Sequence, residues 1–118
     1  MAEVFHVREE QQNGVCLLHL KGFLDAHTAA QFEAVIQRHV ANGDVRLVVN
    51  CEELNYISSA GLGVFMSFIE ELREQGGDIR IASLISKVRQ VFEILGFTEI
   101  FELYATVDEA VASFQEKE

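Results

Sequence analysis

The chain has 118 residues, 49 % of them hydrophobic, and a net charge of −10 from nineteen acidic against nine basic side chains. That length and apolar content exclude a disordered segment and predict one domain, residues 1–118, with a core of its own. The acidic balance excludes the basic footprint that nucleic acid or an anionic membrane would require of its main partner.

The opening Met-Ala-Glu-Val-Phe-His-Val-Arg-Glu-Glu has neither a basic n-region nor an apolar h-region. No apolar run approaches the roughly 20 residues of a membrane span. A cytoplasmic protein without membrane insertion is expected. Cys16 and Cys51 each lie in or beside a strand-like segment, far from any CxxC spacing, and read as buried reduced thiols.

In chain order, Val4 to Val7 reads as a short strand, and Gln11-Gln-Asn-Gly14 supplies hairpin turn chemistry because Asn-Gly accepts positive φ cheaply. Val15 to Leu20 is the return strand. After the connection Lys21 to Asp25, Thr28 and Gln31 have capping-box spacing, and Phe32, Val35, Ile36 and Val40 repeat at helical spacing up to Asn42-Gly43. Arg46 to Asn50 is a buried strand by its Leu-Val-Val centre. Leu62, Phe65, Met66, Ile69 and Leu72 mark the inner stripe of a helix that starts near Ser59 and stops at Gly76-Gly77. Ile79 to Ala82 is a further strand. Ser86 opens a helix with Val88, Val91, Phe92 and Leu95 inward, ended by Gly96. Glu99 to Leu103 reads as the last strand. Thr106 and Glu109 have capping-box spacing ahead of a helix with Val107, Ala110, Val111 and Phe114 inward. A hairpin followed by alternating units implies an α/β fold: a mostly parallel sheet with an antiparallel edge strand, covered by about four helices.

The octet Tyr56-Ile-Ser-Ser-Ala-Gly-Leu-Gly63 joins a strand to a helix, so its serines sit where backbone N–H groups have no helical acceptor. A phosphate there would meet those donors and the positive end of the helix dipole. Small Ala60 and Gly61 leave the Ser59 hydroxyl approachable. The bland reading is that Ser59 is an N-cap worth about 1 kcal/mol. Val64 and Phe68 fall off the inner stripe and, rimmed by Ala60, Gly61 and Ser67, read as a partner surface, the alternative being that a doubly covered sheet buries them.

The stretch Leu47-Val-Val-Asn-Cys-Glu-Glu-Leu-Asn-Tyr-Ile-Ser-Ser-Ala-Gly-Leu-Gly63 resembles the signature of bacterial anti-sigma factor antagonists, the STAS-domain family. Lys21-Gly-Phe-Leu-Asp-Ala-His-Thr28 resembles the family's turn before the first helix, and Ile94-Leu-Gly-Phe97 resembles a block near the third. The resemblance implies that Ser59 is a phospho-acceptor, with Asp25, Ser58, Ala60 and Gly61 around it and Ser59, Gly61, Val64 and Phe68 touching a partner. It implies as partners an anti-sigma factor that is also a serine kinase, with ATP bound by that partner, and a PP2C-type phosphatase that reverses the modification. Unphosphorylated, such a protein sequesters the kinase and frees a sigma factor or other regulator. Ser58 stands where many members have Asp, which leaves Asp25 as the carboxylate beside the acceptor. No cofactor is implied.

The physics of such a switch follows from charge. Phosphoserine carries about −1.5 to −2 charge near neutrality. Placed at a helix start it leaves the helix folded but makes a docking surface anionic beside Asp25, weakening binding roughly a hundredfold.

Other readings have less in the sequence. A hydrolase nucleophile elbow requires Gly-x-Ser-x-Gly, but position 57 is Ile, and no histidine follows Ser59, so the chain does not read as an enzyme. The four histidines have no metal-ligand spacing; His6 and His19 read as cross-strand neighbours, His27 precedes a helix and His39 ends it. No metal site is expected. Lys87 and Arg89 attract a phosphate or acidic partner, or simply form a solvated face. The same fold also suits an accessory subunit of a membrane lipid or anion transport system, or a nucleotide-sensing module, though no GxxxxGK phosphate loop is present.

Overall fold

The computed structural model describes residues 5–115, which form a five-stranded sheet and four α-helices. The antiparallel strands β1 (Phe5–Gln12) and β2 (Val15–Leu24) turn at Asn13-Gly14, whose φ values of +53° and +81° are the pair that Asn-Gly favours. β1 runs on past the expected Val7 to Gln12, while Val4 lies outside the described residues. The added stretch, Arg8 to Gln12, is polar throughout. It suits an edge strand that must not recruit another chain, and it offers no apolar alternation to read.

Helix α1 (Ala29–Ala41) follows, then β3 (Arg46–Ile57), α2 (Ser59–Glu74), β4 (Asp78–Ala82), α3 (Ser86–Ile94), a 3-10 turn at Phe97–Glu99, β5 (Glu102–Tyr104) and α4 (Val107–Gln115). The strand order is β1-β2-β3-β4-β5, with every pair after the first parallel. The α/β architecture expected from the alternation is the one observed.

Two segments expected as connections are strand instead. Lys21 to Leu24 continues β2 and Cys51 to Ile57 continues β3, with Lys21 opposite Glu53 and Leu24 opposite Ile57. The register shifts between His19 and Lys21 and again between Gly22 and Phe23. Cys51, Leu54 and Ile57, three residues apart, are therefore the buried positions, and a period of two does not reveal them. The last strand is also shorter and later than expected, because Phe97–Glu99 coils into its 3-10 turn.

Side chains alternate between two cores. Cys16, Leu18 and Leu20 of β2, Leu47 and Val49 of β3, and Ile79 and Ile81 of β4 face α1, α2 and α3. Val15, Leu17, Val48 and Ala82 face Ala110 and Val111 of α4 on the other side. Phe65 of α2 is the hub of the larger core, with ring centroids 5.2 Å from Phe32, 6.0 Å from Phe92 and 5.9 Å from Phe101, all edge-to-face. That hub fixes α2 between its neighbours.

The Thr28–Gln31 capping box does not form. The Thr28 hydroxyl accepts from Asp25 N at 2.9 Å and donates to the Phe23 carbonyl at 2.9 Å, so it braces the β2–α1 turn. Thr106 does cap α4, its Oγ1 accepting from Glu109 N at 3.1 Å. Met66 and Leu95, expected inside, are exposed: Met66 lies on the outer arc of α2, and Leu95 is the C-cap of α3, swung out ahead of Gly96 at φ +77°. Among the described residues, no helix is long and apolar enough to cross a membrane.

Candidate functional site

The site is built where β2 and β3 end and α2 begins. Ser58, with φ −104° and ψ 176°, is still extended, and it is the N-cap: its Oγ accepts from Gly61 N at 3.4 Å. Ser59 is therefore the first helical residue and not the cap that spacing had made it. Because Leu62 N donates to the Ser58 carbonyl at 3.0 Å, the N–H groups of Ser59 and Ala60 stand before the helical ladder and point out of its start. Ser59 and Ala60 are both exposed. Among the described residues the Ser59 hydroxyl makes no hydrogen bond.

Gly61 locks this corner. A Cβ on it would lie 2.8 Å from Leu24 Cγ and 3.0 Å from both the Leu24 carbonyl oxygen and Ile57 Cγ1. Only a residue without a side chain lets the first turn of α2 settle against the ends of both strands. Gly61 is buried, so its place is beneath the site and not on its surface.

Asp25 follows Leu24 and is half-buried, but its carboxylate turns into its own loop. Oδ1 accepts from His27 N at 2.9 Å, while the Asp25 carbonyl receives Ala29 N at 2.9 Å. Among the described residues it bonds neither Ser58 nor Ser59. Among the described residues Ser59 thus has no carboxylate partner.

Val64 and Phe68 do not form an exposed patch. They are 5 % and 6 % exposed and belong to the large core with Gly61's neighbours Leu24 and Ile57. Lying on the sheet with α1 beside it, α2 buries Gly61, Leu62, Val64, Phe65, Phe68, Ile69 and Leu72, an arc wider than one stripe. Its outer arc carries Ser59, Ala60, Gly63, Met66 and Ser67.

The apolar surface at the site comes from elsewhere. Phe23 and Tyr56 sit opposite each other on β2 and β3, are 50 % and 48 % exposed, and meet at a tilt of 50° with centroids 6.0 Å apart. They precede Asp25 and Ser58 by two positions each. Sequence reasoning missed them because both segments read as loop, where exposed aromatics have no face. Lys87 of α3 lines a cavity of about 220 Å³ with Asn55, Tyr56 and Ile57, which brings a cation to the segment leading into Ser58. Among the described residues Lys87 makes no ion pair, whereas Arg89 is held by Glu93 at 3.1 Å.

The thiols and histidines lie away from this corner. Cys16 and Cys51 are free and buried, and burial pushes their thiols up to about 11 and about 12 respectively, so both are protonated at neutral pH. His6 faces Lys21 and His19 faces Arg8, so the two histidines are not opposite one another. His39, expected only to end α1, is buried.

This geometry defines a small α/β module that presents the Ser59 side chain to solvent at the start of α2. The sequence pattern of the STAS domain matches residues 6–110, and the chain belongs to the STAS-domain family. It is 36 % identical over 103 residues, spanning 87 % of this chain and 89 % of the relative, to the Bordetella bronchiseptica protein named "Putative anti-sigma factor antagonist BtrV". In fold it is similar to a Thermotoga maritima protein described as "a putative anti-sigma factor antagonist", with a TM-score of 0.88 at 21 % identity, covering 93 % of this chain and 95 % of that one. It is also similar to the phosphorylated form of the Bacillus cell fate determinant SpoIIAA, with a TM-score of 0.72 at 24 % identity, covering 92 % of this chain and 99 % of that one.

Proposed function

We propose that this chain is an anti-sigma factor antagonist switched by phosphorylation of Ser59, a binding protein and not an enzyme. In this reading the unphosphorylated form sequesters a cytoplasmic anti-sigma factor that is also an ATP-binding serine kinase, and so releases a sigma factor or another regulator. The kinase then phosphorylates Ser59 and frees itself, and a PP2C-type phosphatase resets the switch.

The observation that carries the reading is the Ser59 hydroxyl, solvent-exposed at the first position of α2, with the N–H groups of Ser59 and Ala60 free to receive a phosphate. The names of its relatives support the partner class. Since no carboxylate among the described residues bonds Ser59, the base that takes the hydroxyl proton comes, in this reading, from the kinase. The docking surface consists of Ser59 with the outer arc of α2, Ala60, Gly63 and Met66, flanked by Phe23 and Tyr56. Val64, Phe68 and Gly61 act from beneath by holding that arc in place.

The test is to capture partners from a lysate of the native host on the immobilised chain and identify them by mass spectrometry, then incubate the purified partner with ATP and this chain. A partner with a kinase ATP site that adds one phosphate at Ser59 and then dissociates supports the reading. Phosphate on another residue, or dissociation without modification, contradicts it.

A further inference from the structure

At the opposite end of β2 from Ser59, the fold gathers three metal-ligand side chains that are far apart in sequence. Cys16 is the second residue of β2, His39 lies in the last turn of α1, and Asp44 lies in the turn between α1 and β3. Gly43, at φ +86°, returns the chain so that Asp44 N donates to the His39 carbonyl at 2.9 Å. Cys16 Sγ is 3.5 Å from His39 Nδ1, which is 3.1 Å from Asp44 Oδ2, and the three atoms all lie within 4.8 Å of one another.

We propose that Cys16, His39 and Asp44 form a binding site for a zinc-class divalent cation, with solvent in the fourth position.

The distances carry this assignment. A tetrahedral ion with bonds of about 2.3 Å to sulfur and about 2.05 Å to nitrogen or oxygen sets S···N near 3.5 Å and N···O near 3.3 Å. The observed 3.5 Å and 3.1 Å match these two edges to within a few tenths of an ångström, and the third edge, from Sγ to the Asp44 carboxylate, lies within 4.8 Å. The surroundings fit as well. His39 Nε2 lies 2.7 Å from Glu9 Oε1, and a carboxylate only accepts, so this nitrogen carries the proton. Nδ1 faces Cys16 and Asp44, and once the proton it shares with Asp44 is displaced its lone pair meets an ion in the carboxylate–histidine–metal arrangement that orients a ligating ring. A lone pair facing a carboxylate oxygen is repulsive unless a proton or a cation lies between them. Gln11, directly across the hairpin from Cys16, donates from Nε2 to Sγ at 2.9 Å, a contact that would hold a metal-bound sulfur in place. The half-exposed Asp44 opens the site to solvent.

Binding is a ligand exchange. The ion loses water, Cys16 loses its thiol proton and the proton held between His39 Nδ1 and Asp44 leaves as well, both to solvent, and no oxidant or reductant takes part. A bound ion would tie the edge hairpin to the last turn of α1. The site is independent of Ser59.

The experiment is a titration of the full chain, reduced and metal-free, with cobalt(II) and then zinc. One equivalent of cobalt should produce a thiolate-to-metal charge-transfer band that zinc displaces. Apparent affinity should rise by up to about a hundredfold per pH unit, since the thiol proton and the proton between His39 and Asp44 are both released. Zinc at a hundredfold excess over its dissociation constant should raise Tm by roughly 10 °C. Cys16→Ser should abolish the band, and Cys51→Ser should keep it. Asp44→Asn, which conserves shape at a half-exposed position and so keeps the test open if Cys16→Ser misfolds, should weaken cobalt at least tenfold. No thiolate band at a hundredfold cobalt excess, or equal binding by Asp44→Asn, would overturn the site and leave a proton between His39 and Asp44.

Discussion

The backbone N–H of Ser58 donates to the Leu24 carbonyl at 3.0 Å, so the residue that caps α2 is tied directly to the end of β2. The same carbonyl oxygen lies 3.0 Å from where a Cβ on Gly61 would stand. One peptide group therefore sets both the entry angle and the depth of the helix that presents Ser59. Strand ends, cap and glycine act as one bracket. What they present is small, exposed and free of internal partners.

Gly61→Ala tests the bracket. The added methyl meets Leu24 and Ile57 at 3.0 Å or less, and the backbone carbonyl cannot rotate away. We expect a loss of about 1–3 kcal/mol in urea denaturation, the range for overpacking a core. Phosphorylation of Ser59 should slow, because the first turn of α2 must shift. An unchanged midpoint would show that Gly61 is not needed for close approach.

Ser58 and Ser59 should separate cleanly. Ser58→Ala removes the oxygen that caps Gly61 N and should cost about 1 kcal/mol. Ser58→Asp keeps a cap and adds a charge that favours the helix dipole, so its stability should equal or exceed that of the native chain. Ser59→Ala should leave stability nearly unchanged, because among the described residues its hydroxyl has no partner. Equal losses in Ser58→Ala and Ser59→Ala would contradict the assignment of Ser58 as the cap.

Phe23→Ala and Tyr56→Ala should each weaken partner binding by roughly tenfold or more, as truncation of an aromatic anchor does, while changing folding stability little because both rings are half in solvent. Isothermal titration against the captured partner, paired with urea denaturation, distinguishes the two effects. Native affinity in both variants would move the docking surface elsewhere.

The Cys51 thiol sets an alkaline limit. Burial raises it from 9.0 to about 12 in the folded chain, so above about pH 9 the unfolded chain releases this proton while the folded chain keeps it. The stability it contributes is fully present below pH 9 and is lost as pH rises toward 12, at about 1.4 kcal/mol per pH unit. Cys51→Ala should flatten that part of the pH–stability curve while lowering its plateau through the lost packing. The same slope in both proteins would refute the argument.

Much of this was legible in the sequence, and the failures share a cause. Alternation of apolar runs with helical stripes gave the strand and helix order, and Asn13-Gly14 gave the hairpin. The extensions of β2 and β3 were hidden because two register shifts replace the period of two with Cys51, Leu54 and Ile57. The exposed pair Phe23 and Tyr56 was hidden with them. For Val64 and Phe68 the sequence leaves a partner surface and burial both open, because one stripe alone satisfies α2; a helix lying on a sheet beside another helix buries a broader arc, and both residues are in the core. Cys16, His39 and Asp44 have no motif spacing at all. Only the return of the chain at Gly43 brings them together.

The most direct test of the proposed switch compares Ser59→Asp and Ser59→Ala for affinity toward the captured anti-sigma factor partner by isothermal titration, with circular dichroism showing that both remain folded. The account predicts that Ser59→Ala binds as the unphosphorylated protein does, while Ser59→Asp binds roughly a hundredfold more weakly. Equal affinity of the two variants would contradict it.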